Sequence, residues 1–346
     1  MALKSFAKFC LGAIAAMSRK KIFLHIGWEK TGSSAIQSFL YGNAEWLSRK
    51  GYLYPKLSIG PQHVELYWAL SSPSPVRRHK MIGRMREIIE ESDSDFIILS
   101  HERLHACDFT LFCEMLRPHD VQVIAYLRRH DEALVSLFAT FVRWGMLRVA
   151  PRKTLFLRFA REYLAGADYI WPLRAFSAGF GRENVLVRVY DQDRFSSTSI
   201  VPDFMKLVGI QEMDGALWPN QRQNPSLTSQ EMTYLLDTSA ALDGQLGPST
   251  LPATREIATA LLAAPSRRGG AHLLESVPLR HRQRIIDMFS KSNALLSREF
   301  FKGAEVFSRL SEEDVPLGAL PDDLKAAFDS IVINAPNVPE NVKTLL

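Results

Sequence analysis

Four short apolar runs, each followed by a stretch with helical periodicity, constrain this chain most. They occupy residues 21–27, 96–99, 121–127 and 185–190 and are rich in isoleucine, valine, leucine and phenylalanine. Runs of this length and composition are typical of strands buried on both faces, which occur in parallel sheets connected by helices. The pattern therefore predicts an α/β fold, with a mainly parallel sheet flanked by helices on both faces.

The first run leads into a segment suited to binding a phosphate. After Gly27 the chain reads W-E-K-T-G-S-S, and helical periodicity begins at the two serines. A helix start leaves backbone N–H groups unpaired and carries partial positive charge. Gly32 permits close approach of an anion, Ser33 and Ser34 add hydroxyl donors, and Lys30 adds a full charge. The sheet is thus predicted to be P-loop-like, and the chain is a candidate nucleotide enzyme.

This loop differs from the common nucleotide loop. The Walker pattern places lysine directly after its second glycine, whereas Lys30 precedes Gly32 by two residues. The difference weakens a kinase or NTPase interpretation. The plainer alternative is a helix N-cap formed by Ser33 or Ser34, with Lys30 in solvent.

The third run ends in an arginine pair. Arg128-Arg129 precede a helical stretch for which Asp131 is the expected N-cap. Ser136 lies eight residues beyond Arg128, so a rise of 1.5 Å per residue keeps it within about 8 Å of the helix start. An arginine fork with a nearby hydroxyl suits a terminal phosphate. A surface arginine pair and an ordinary helix serine are the alternative.

The fourth run ends in Tyr190-Asp191. An aromatic side chain at the carboxyl end of a parallel sheet can lie against a purine. It can equally be a packed amphipathic residue, and the sequence leaves both open.

Taken in order, these residues resemble the PAPS-dependent sulfotransferases, in particular a bacterial branch that starts H-I-G-x-x-K-T-G-[ST]-[ST]. PAPS is 3′-phosphoadenosine 5′-phosphosulfate. The resemblance spans residues 21–305 and includes D-F-M-K-L-V-G at 203–209. It implies PAPS as co-substrate, bound by Lys30, Thr31, Gly32, Ser33, Ser34, Arg128, Ser136 and Tyr190. Arg128 and Ser136 would bind the 3′-phosphate, and Tyr190 would contact the adenine.

The resemblance also implies a general base after the second run, where Leu99 is followed by S-H-E-R. Family members place a histidine or glutamate there, at the sheet edge where ligands bind. Glu102 is the expected base, with His101 as its rival, and Lys30 would stabilise the leaving group in an in-line transfer. No metal is expected. A loop ion pair between Glu102 and Arg103 is the alternative.

Some positions depart from the family pattern. Glu29 places an anion beside the phosphate loop and is expected to point away from the phosphates. Ala35 stands where animal cytosolic members have tryptophan. The late R-K-G segment that completes the 3′-phosphate site in those members has no clear equivalent, and Arg267-Arg268-Gly269 is a weak candidate.

Composition and net charge limit the classes of ligand and the cellular compartment expected for this protein. The net charge of +5 and pI near 9.1 favour anionic ligands, such as nucleotides or acidic glycans. The sequence shows no dense basic–aromatic stripe, so no nucleic-acid partner is expected. Cys10, Cys107 and Cys113 have neither metal nor redox spacing, which fits a reducing compartment such as the cytoplasm.

The first twenty residues are expected to form a leader or a short surface helix. Their apolar run from Phe6 to Met17 is interrupted by Lys8 and is too short to span a bilayer. The expected location is the cytoplasm. Contact of these residues with the inner face of the membrane is an open alternative.

Strand runs stop after Val208, and helical periodicity takes over. We expect one sulfotransferase-like domain over residues 21–330. Its α/β nucleotide-binding core would cover 21–210 and its helical part 211–330, followed by a loosely ordered tail at 331–346.

Three functional interpretations remain at this point. The leading one is a sulfotransferase acting on a hydroxyl or amine acceptor, with carbohydrate favoured because bacterial members of the resembled family often act on it. The second is a nucleotide kinase or NTPase with a non-standard phosphate loop. The third is a non-catalytic protein of the same fold that binds a nucleotide or a glycan.

Overall fold

A computed structural model describes most of the chain. The described residues are 19–57, 60–146, 152–191, 199–218, 227–246, 250–264, 277, 279–307, 310, 322–336 and 338–344. The expected leader, apart from its last two residues, and the Arg267-Arg268-Gly269 segment lie outside this part. The chain divides into two compact units, Met1–Leu127 with Ile170–Asn220, and Arg128–Tyr169 with Gln221–Leu346. The predicted boundaries at 210 and 330 stay predictions.

The first unit contains a five-stranded sheet in which every pair of neighbouring strands is parallel, in the order β2-β3-β1-β4-β5. The strands are β1 Lys21–His25, β2 Tyr52–Leu53, β3 Phe96–Ser100, β4 Asp120–Leu127 and β5 Val185–Val189. The predicted parallel α/β sheet is confirmed. Four of the strands correspond to the four apolar runs. The strand β2 is too short to produce a recognisable run.

Helices cover both faces of this sheet. Those of the first unit are α1 Ser33–Gly42, α2 Ala44–Arg49, α3 Val64–Leu70, α4 Pro75–Glu91, α5 Phe109–Leu116, α8 Ile170–Phe180 and α9 Val201–Leu207. Phe23, Ile98 and Ile124 from the three central strands pack with α1, α2 and α9 in one apolar cluster. On the other face α8 packs on β4 and β5, α5 packs on α8, and α4 packs on α5.

The second unit is helical in its described part. Its helices are α6 His130–Arg143, α7 Arg152–Tyr163, α10 Ser229–Leu246, α11 Thr250–Ala263, α12 Leu279–Met288, α13 Ser290–Phe300, α14 Asp322–Ile333 and α15 Glu340–Lys343. The apolar stripe expected after the third run forms one face of α6, where Leu134, Val135 and Phe138 are buried. The helical character expected for the C-terminal part is therefore confirmed for the described residues from Ser229 onward, whereas residues 209–218 are irregular.

Apolar side chains order part of the segment expected to be a loose tail. Val332, Val338 and Val342 are almost completely buried in the core of the second unit. Burial of these three valines explains why α14 and α15 extend into the segment despite the prolines between them.

No helix in the described ranges combines the length and the apolar character needed to cross a membrane.

A glycine in α8 provides a test of the packing between α5 and α8. A Cβ atom on Gly179 would lie 2.7 Å from the Cys113 Sγ and 3.3 Å from a Phe109 ring carbon. We expect Gly179→Ala to destabilise the protein by about 1–3 kcal/mol, because overpacking forces neighbouring atoms to move. Chemical denaturation monitored by circular dichroism measures the change.

Gly83 is the matched control, because it lies within α4 and, outside its own helix turn, no heavy atom of the described residues lies within 4 Å of its added Cβ. Gly83→Ala should stabilise the protein by about 0.5–1 kcal/mol through helix propensity. Equal effects of the two substitutions would contradict the described α5–α8 contact.

Candidate active site

The segment between β1 and α1 turns through three residues in the left-handed region. Gly27 has φ 48°, Lys30 φ 67° and Gly32 φ 82°. Glycine adopts these angles easily, whereas lysine does so at a cost of about 1 kcal/mol or more. The loop therefore holds Lys30 in a strained backbone conformation, which is common at ligand sites.

The loop hydroxyls differ in what they contact. Thr31 is fully buried, and its Oγ1 donates a hydrogen bond of 2.6 Å to the carbonyl oxygen of Trp28. Ser33 is also buried, with its Oγ a long 3.5 Å from the same carbonyl. Ser34 is exposed. Thr31 thus closes the turn, and Ser34 presents its hydroxyl to solvent.

The start of α1 is open to an anion. The N-cap residue is Gly32, no capping side chain is found in the part of the chain that the structure describes, and the first turn of the helix contains no acidic residue. The expected alternative in which Ser33 or Ser34 forms the cap is therefore wrong. The N–H groups of Ala35 and Ile36 bond to the Gly32 carbonyl, and helix geometry leaves the earlier N–H groups facing outward with partial positive charge.

Glu102 lies directly against this loop. It follows β3, and a Cβ atom on Gly27 would be 2.8 Å from the Glu102 Cα. Because β1 and β3 are parallel neighbours with His25 opposite Ser100, the segments that follow them emerge at the same sheet edge. The structure therefore brings the predicted base next to the start of the predicted phosphate loop.

The ring of His101 is held by a stacking contact and a hydrogen bond. Its ring stacks on Tyr67 with centroids 5.0 Å apart, and its Nδ1 accepts a hydrogen bond from the Arg103 N–H. Burial lowers the pKa of His101, which favours the neutral ring. A neutral ring that accepts at Nδ1 has its proton on Nε2, so neither nitrogen is available as an acceptor. This arrangement favours Glu102 over His101 as a base.

Arg103 pairs with a different carboxylate from the one considered in the sequence. Its Nε lies 3.1 Å from Glu29 Oε1, so the alternative Glu102–Arg103 ion pair is not found among the described residues. Burial raises the pKa of Glu29, and Arg103 opposes that shift. The ion pair partly neutralises the one acidic side chain of the phosphate loop.

Tyr190 follows β5 and contacts the loop. A Cβ atom on Gly32 would lie 3.0 Å from Tyr190 Cε2 and 3.1 Å from a methyl carbon of Ile200. The backbone N–H of Tyr190 donates to the Leu127 carbonyl at 2.6 Å, which fixes the end of β5 beside β4. Both the positive φ of Gly32 and this close contact therefore disfavour any residue with a side chain at this position.

The predicted 3′-phosphate residues belong to the second unit. Arg128 is almost completely buried, and its Nε donates to Glu132 Oε2 at 3.1 Å. Its carbonyl accepts a 2.6 Å hydrogen bond from the Tyr169 hydroxyl. Ser136 is half-buried within α6, and its carbonyl accepts from Thr140. The role of Arg128 and Ser136 in binding a phosphate stays a prediction.

Asp131 is not the N-cap of α6, so that expectation was wrong. The helix begins at His130, and no side chain caps it. Asp131 is fully buried, with Oδ1 2.7 Å from Arg129 Nε and Oδ2 2.9 Å from Arg282 Nε. Each oxygen of the carboxylate thus pairs with a charged guanidinium instead of a backbone N–H of the first helical turn.

Sequence reasoning missed two polar residues in these clusters. Gln37 is fully buried, and its Nε2 lies 3.2 Å from Glu102 Oε2. Arg282 occupies a buried position in α12, three residues before the buried Ile285. A polar residue at an apolar position of an amphipathic helix is the signal that could have identified both.

The described residues contain no group of three or more histidine, cysteine, aspartate or glutamate side chains positioned to hold a metal ion.

Comparisons with known proteins find similarity to a curated sequence and to solved structures. No protein-family model matches the chain. An uncharacterized protein from Archaeoglobus fulgidus is 27% identical over 204 residues, covering 59% of this chain and 52% of the relative. The chain thus spans about half the length of this curated relative.

A crystal structure described as a sulfotransferase from Alicyclobacillus acidocaldarius aligns with 69% of this chain and 96% of its own. Its identity to this chain is 15% and the TM-score is 0.38. A likeness at this score has no weight for fold or activity.

Buried histidines near the site predict how stability depends on pH. Burial lowers the pKa of His25 to about 3 and that of His63 to about 4, from 6.5 in an unfolded chain. As pH falls below 6.5 the unfolded chain binds protons that the folded protein excludes, so stability declines. Each histidine should cost about 2 kcal/mol at pH 5 relative to neutral pH.

Urea denaturation at pH 7 and pH 5 tests this dependence. His63→Gln keeps a donor for the Pro55 carbonyl, which His63 Nε2 contacts at 2.8 Å, and should reduce the loss of stability by about 2 kcal/mol. Replacing the exposed His79 by Gln should leave the loss unchanged. A loss of equal size in all three proteins would refute the assignment.

Proposed function

We propose that this chain is a sulfotransferase that moves a sulfuryl group from PAPS to a hydroxyl or amine acceptor, with carbohydrate hydroxyls favoured. The observation that supports it most is the position of Glu102 against Gly27, at the start of the Lys30 loop. A carboxylate beside an anion-binding loop supplies the two requirements of the reaction, a proton acceptor and a site for the departing phosphate.

The proposed step has one bond formed and one broken. The acceptor oxygen attacks the sulfur in line, and Glu102 takes the acceptor proton as the new S–O bond forms. The bond from sulfur to the bridging oxygen breaks, and its electron pair leaves with adenosine 3′,5′-bisphosphate. Lys30 neutralises the charge that develops on that oxygen, so the loop stabilises the transition state more than the bound donor.

Binding of the donor would use the loop first. The outward N–H groups at the start of α1 and the exposed Ser34 hydroxyl would bind the 5′-phosphosulfate. Thr31 would contribute through its backbone, because its hydroxyl is bonded to Trp28. Assignment of the 3′-phosphate to Arg128 and Ser136, and of the adenine to Tyr190, rests on the family resemblance.

A kinase or NTPase is less well supported. Such enzymes hold Mg²⁺ with an acidic residue on a strand close to the phosphate loop. Here the two neighbours of β1, namely β3 and β4, end in Ser100 and Leu127. A non-catalytic nucleotide-binding protein remains the second alternative, and it would bind the bisphosphate without transferring sulfate.

Isothermal titration with adenosine 3′,5′-bisphosphate, ATP and 5′-AMP tests the donor site. We expect the bisphosphate to bind at least tenfold more tightly than the other two, because only it fills both phosphate sites. Lys30→Ala should weaken its binding about tenfold or more through loss of a charge-assisted contact.

Controls separate the site from general charge effects. Lys80→Ala removes the same charge from an exposed position in α4 and should leave affinity unchanged. Arg128→Lys keeps the charge but loses the guanidinium fork, and should weaken the bisphosphate more than 5′-AMP. Preference for ATP would support the kinase alternative and remove the sulfotransferase proposal.

Replacing the proposed base tests the chemical step. Glu102→Gln should lower the rate of labelled-sulfate transfer from PAPS to a mixture of saccharides by about 10²–10⁴-fold. Bisphosphate affinity should change little, because Glu102 acts on the acceptor. The matched His101→Gln variant should lose far less activity, and the opposite order of effects would assign the base to His101.

A further inference from the structure

Gln37 connects the interior of the first unit to Glu102. It lies in α1, four residues after Ser33, and none of its surface is exposed. Its side-chain Nε2 is 3.2 Å from Glu102 Oε2 and 3.3 Å from Ser100 Oγ. One amide group therefore donates to both the carboxylate at the site and a buried hydroxyl at the end of β3.

The orientation of this amide is fixed from both sides. A carboxylate only accepts hydrogen bonds, so turning the amide over would place Gln37 Oε1 against Glu102 and replace attraction by repulsion. On the inner side, Ser100 Oγ lies 2.8 Å from His25 Nδ1. If the Ser100 hydroxyl donates to this neutral, buried imidazole, its oxygen is left to accept from Gln37.

The side-chain oxygen of Gln37 does not stabilise the fold, and an apolar residue could fill the same position. Its Oε1 is buried and has no hydrogen-bond partner in the described part of the chain. A buried acceptor without a partner is unfavourable, whereas an apolar side chain of the same length leaves no such group. Ser100 would keep its bond to His25, and the partly exposed Glu102 would keep its contact with solvent.

We infer that Gln37 is a positioning residue that holds the Glu102 carboxylate in one orientation, with Oε2 bound and Oε1 directed to the acceptor. The inference rests on the proposed function, in which Glu102 is the base. A glutamate after a strand could adopt several rotamers, and a donor fixed within the core selects one of them. Gln37 thereby couples the geometry of the base to the packing of α1 on β3.

Gln37→Met removes both amide donors and keeps the length of the side chain. We expect it to unfold at the same or a higher temperature than the parent protein, because the unpartnered Oε1 is gone. Its kcat for sulfate transfer should fall about tenfold, with KM for PAPS unchanged within about twofold. A purely structural role of Gln37 would instead lower the unfolding temperature and change KM together with kcat.

Two further variants complete the comparison. Gln283→Met is the matched control, because Gln283 Nε2 donates to Asp287 Oδ1 at 2.8 Å on an exposed helix face. It should change neither kcat nor KM. Gln37→Glu places a second carboxylate against Glu102, and the repulsion should turn the base away and lower kcat further than Gln37→Met does. An unchanged kcat in both Gln37 variants would overturn the inference.

An observation that needs no activity separates this inference from the proposed function. In protein with ¹³C-labelled glutamate carboxyl groups, the Glu102 signal is assigned by its absence from Glu102→Gln. Its chemical shift at neutral pH should move in Gln37→Met and stay unchanged in Gln283→Met, because Gln37 donates to this carboxylate and Gln283 does not. If the bisphosphate does not bind while this shift is present, the sulfotransferase proposal fails and the Gln37–Glu102 coupling stands. Absence of the shift refutes the Gln37–Glu102 coupling, whether or not the protein binds the bisphosphate and transfers sulfate.

Discussion

Parallel pairing of β1 with β3 and β4 is the constraint on which the candidate site depends. Because the three strands run in one direction, the segments that follow them leave the sheet at a single edge. The register places His25 opposite Ser100, so the loop after β1 meets the turn after β3 within two residues of both strand ends. The contact between Gly27 and Glu102 follows from this register, since each residue lies two positions beyond the end of its strand.

Much of this arrangement could be predicted from the sequence. Apolar runs identify the long strands, and the glycine, lysine and serine spacing identifies the loop, because both depend on local composition and on helix-start chemistry. The position of Glu102 beside the loop also follows, since parallel strands bring their carboxyl ends together. The two-residue β2 could not be found in this way, because its identity comes from pairing with β3 rather than from its own composition.

Polar partners were harder to predict, because each is chosen by competition in three dimensions. Arg103 follows Glu102 in the chain but pairs with Glu29 from another loop. Asp131 has the position of a helix cap, yet two arginines bind its carboxylate instead. In both cases local spacing named a plausible neighbour, whereas a partner found in the structure comes from a segment distant in the sequence. Gln37 was missed for the same reason, because Ser100 and Glu102, which its amide contacts, also lie in a distant segment.

The brevity of β2 has a consequence for association between chains. An edge strand exposes a row of unpaired backbone N–H and C=O groups, and a long flat edge invites another strand to pair with it. Here the edge strand beside β3 is formed by Tyr52 and Leu53 alone, and the chain then continues to Pro55, whose nitrogen has no hydrogen to donate. This margin of the sheet therefore offers a poor template for intermolecular β-pairing, which protects a largely apolar sheet from aggregation.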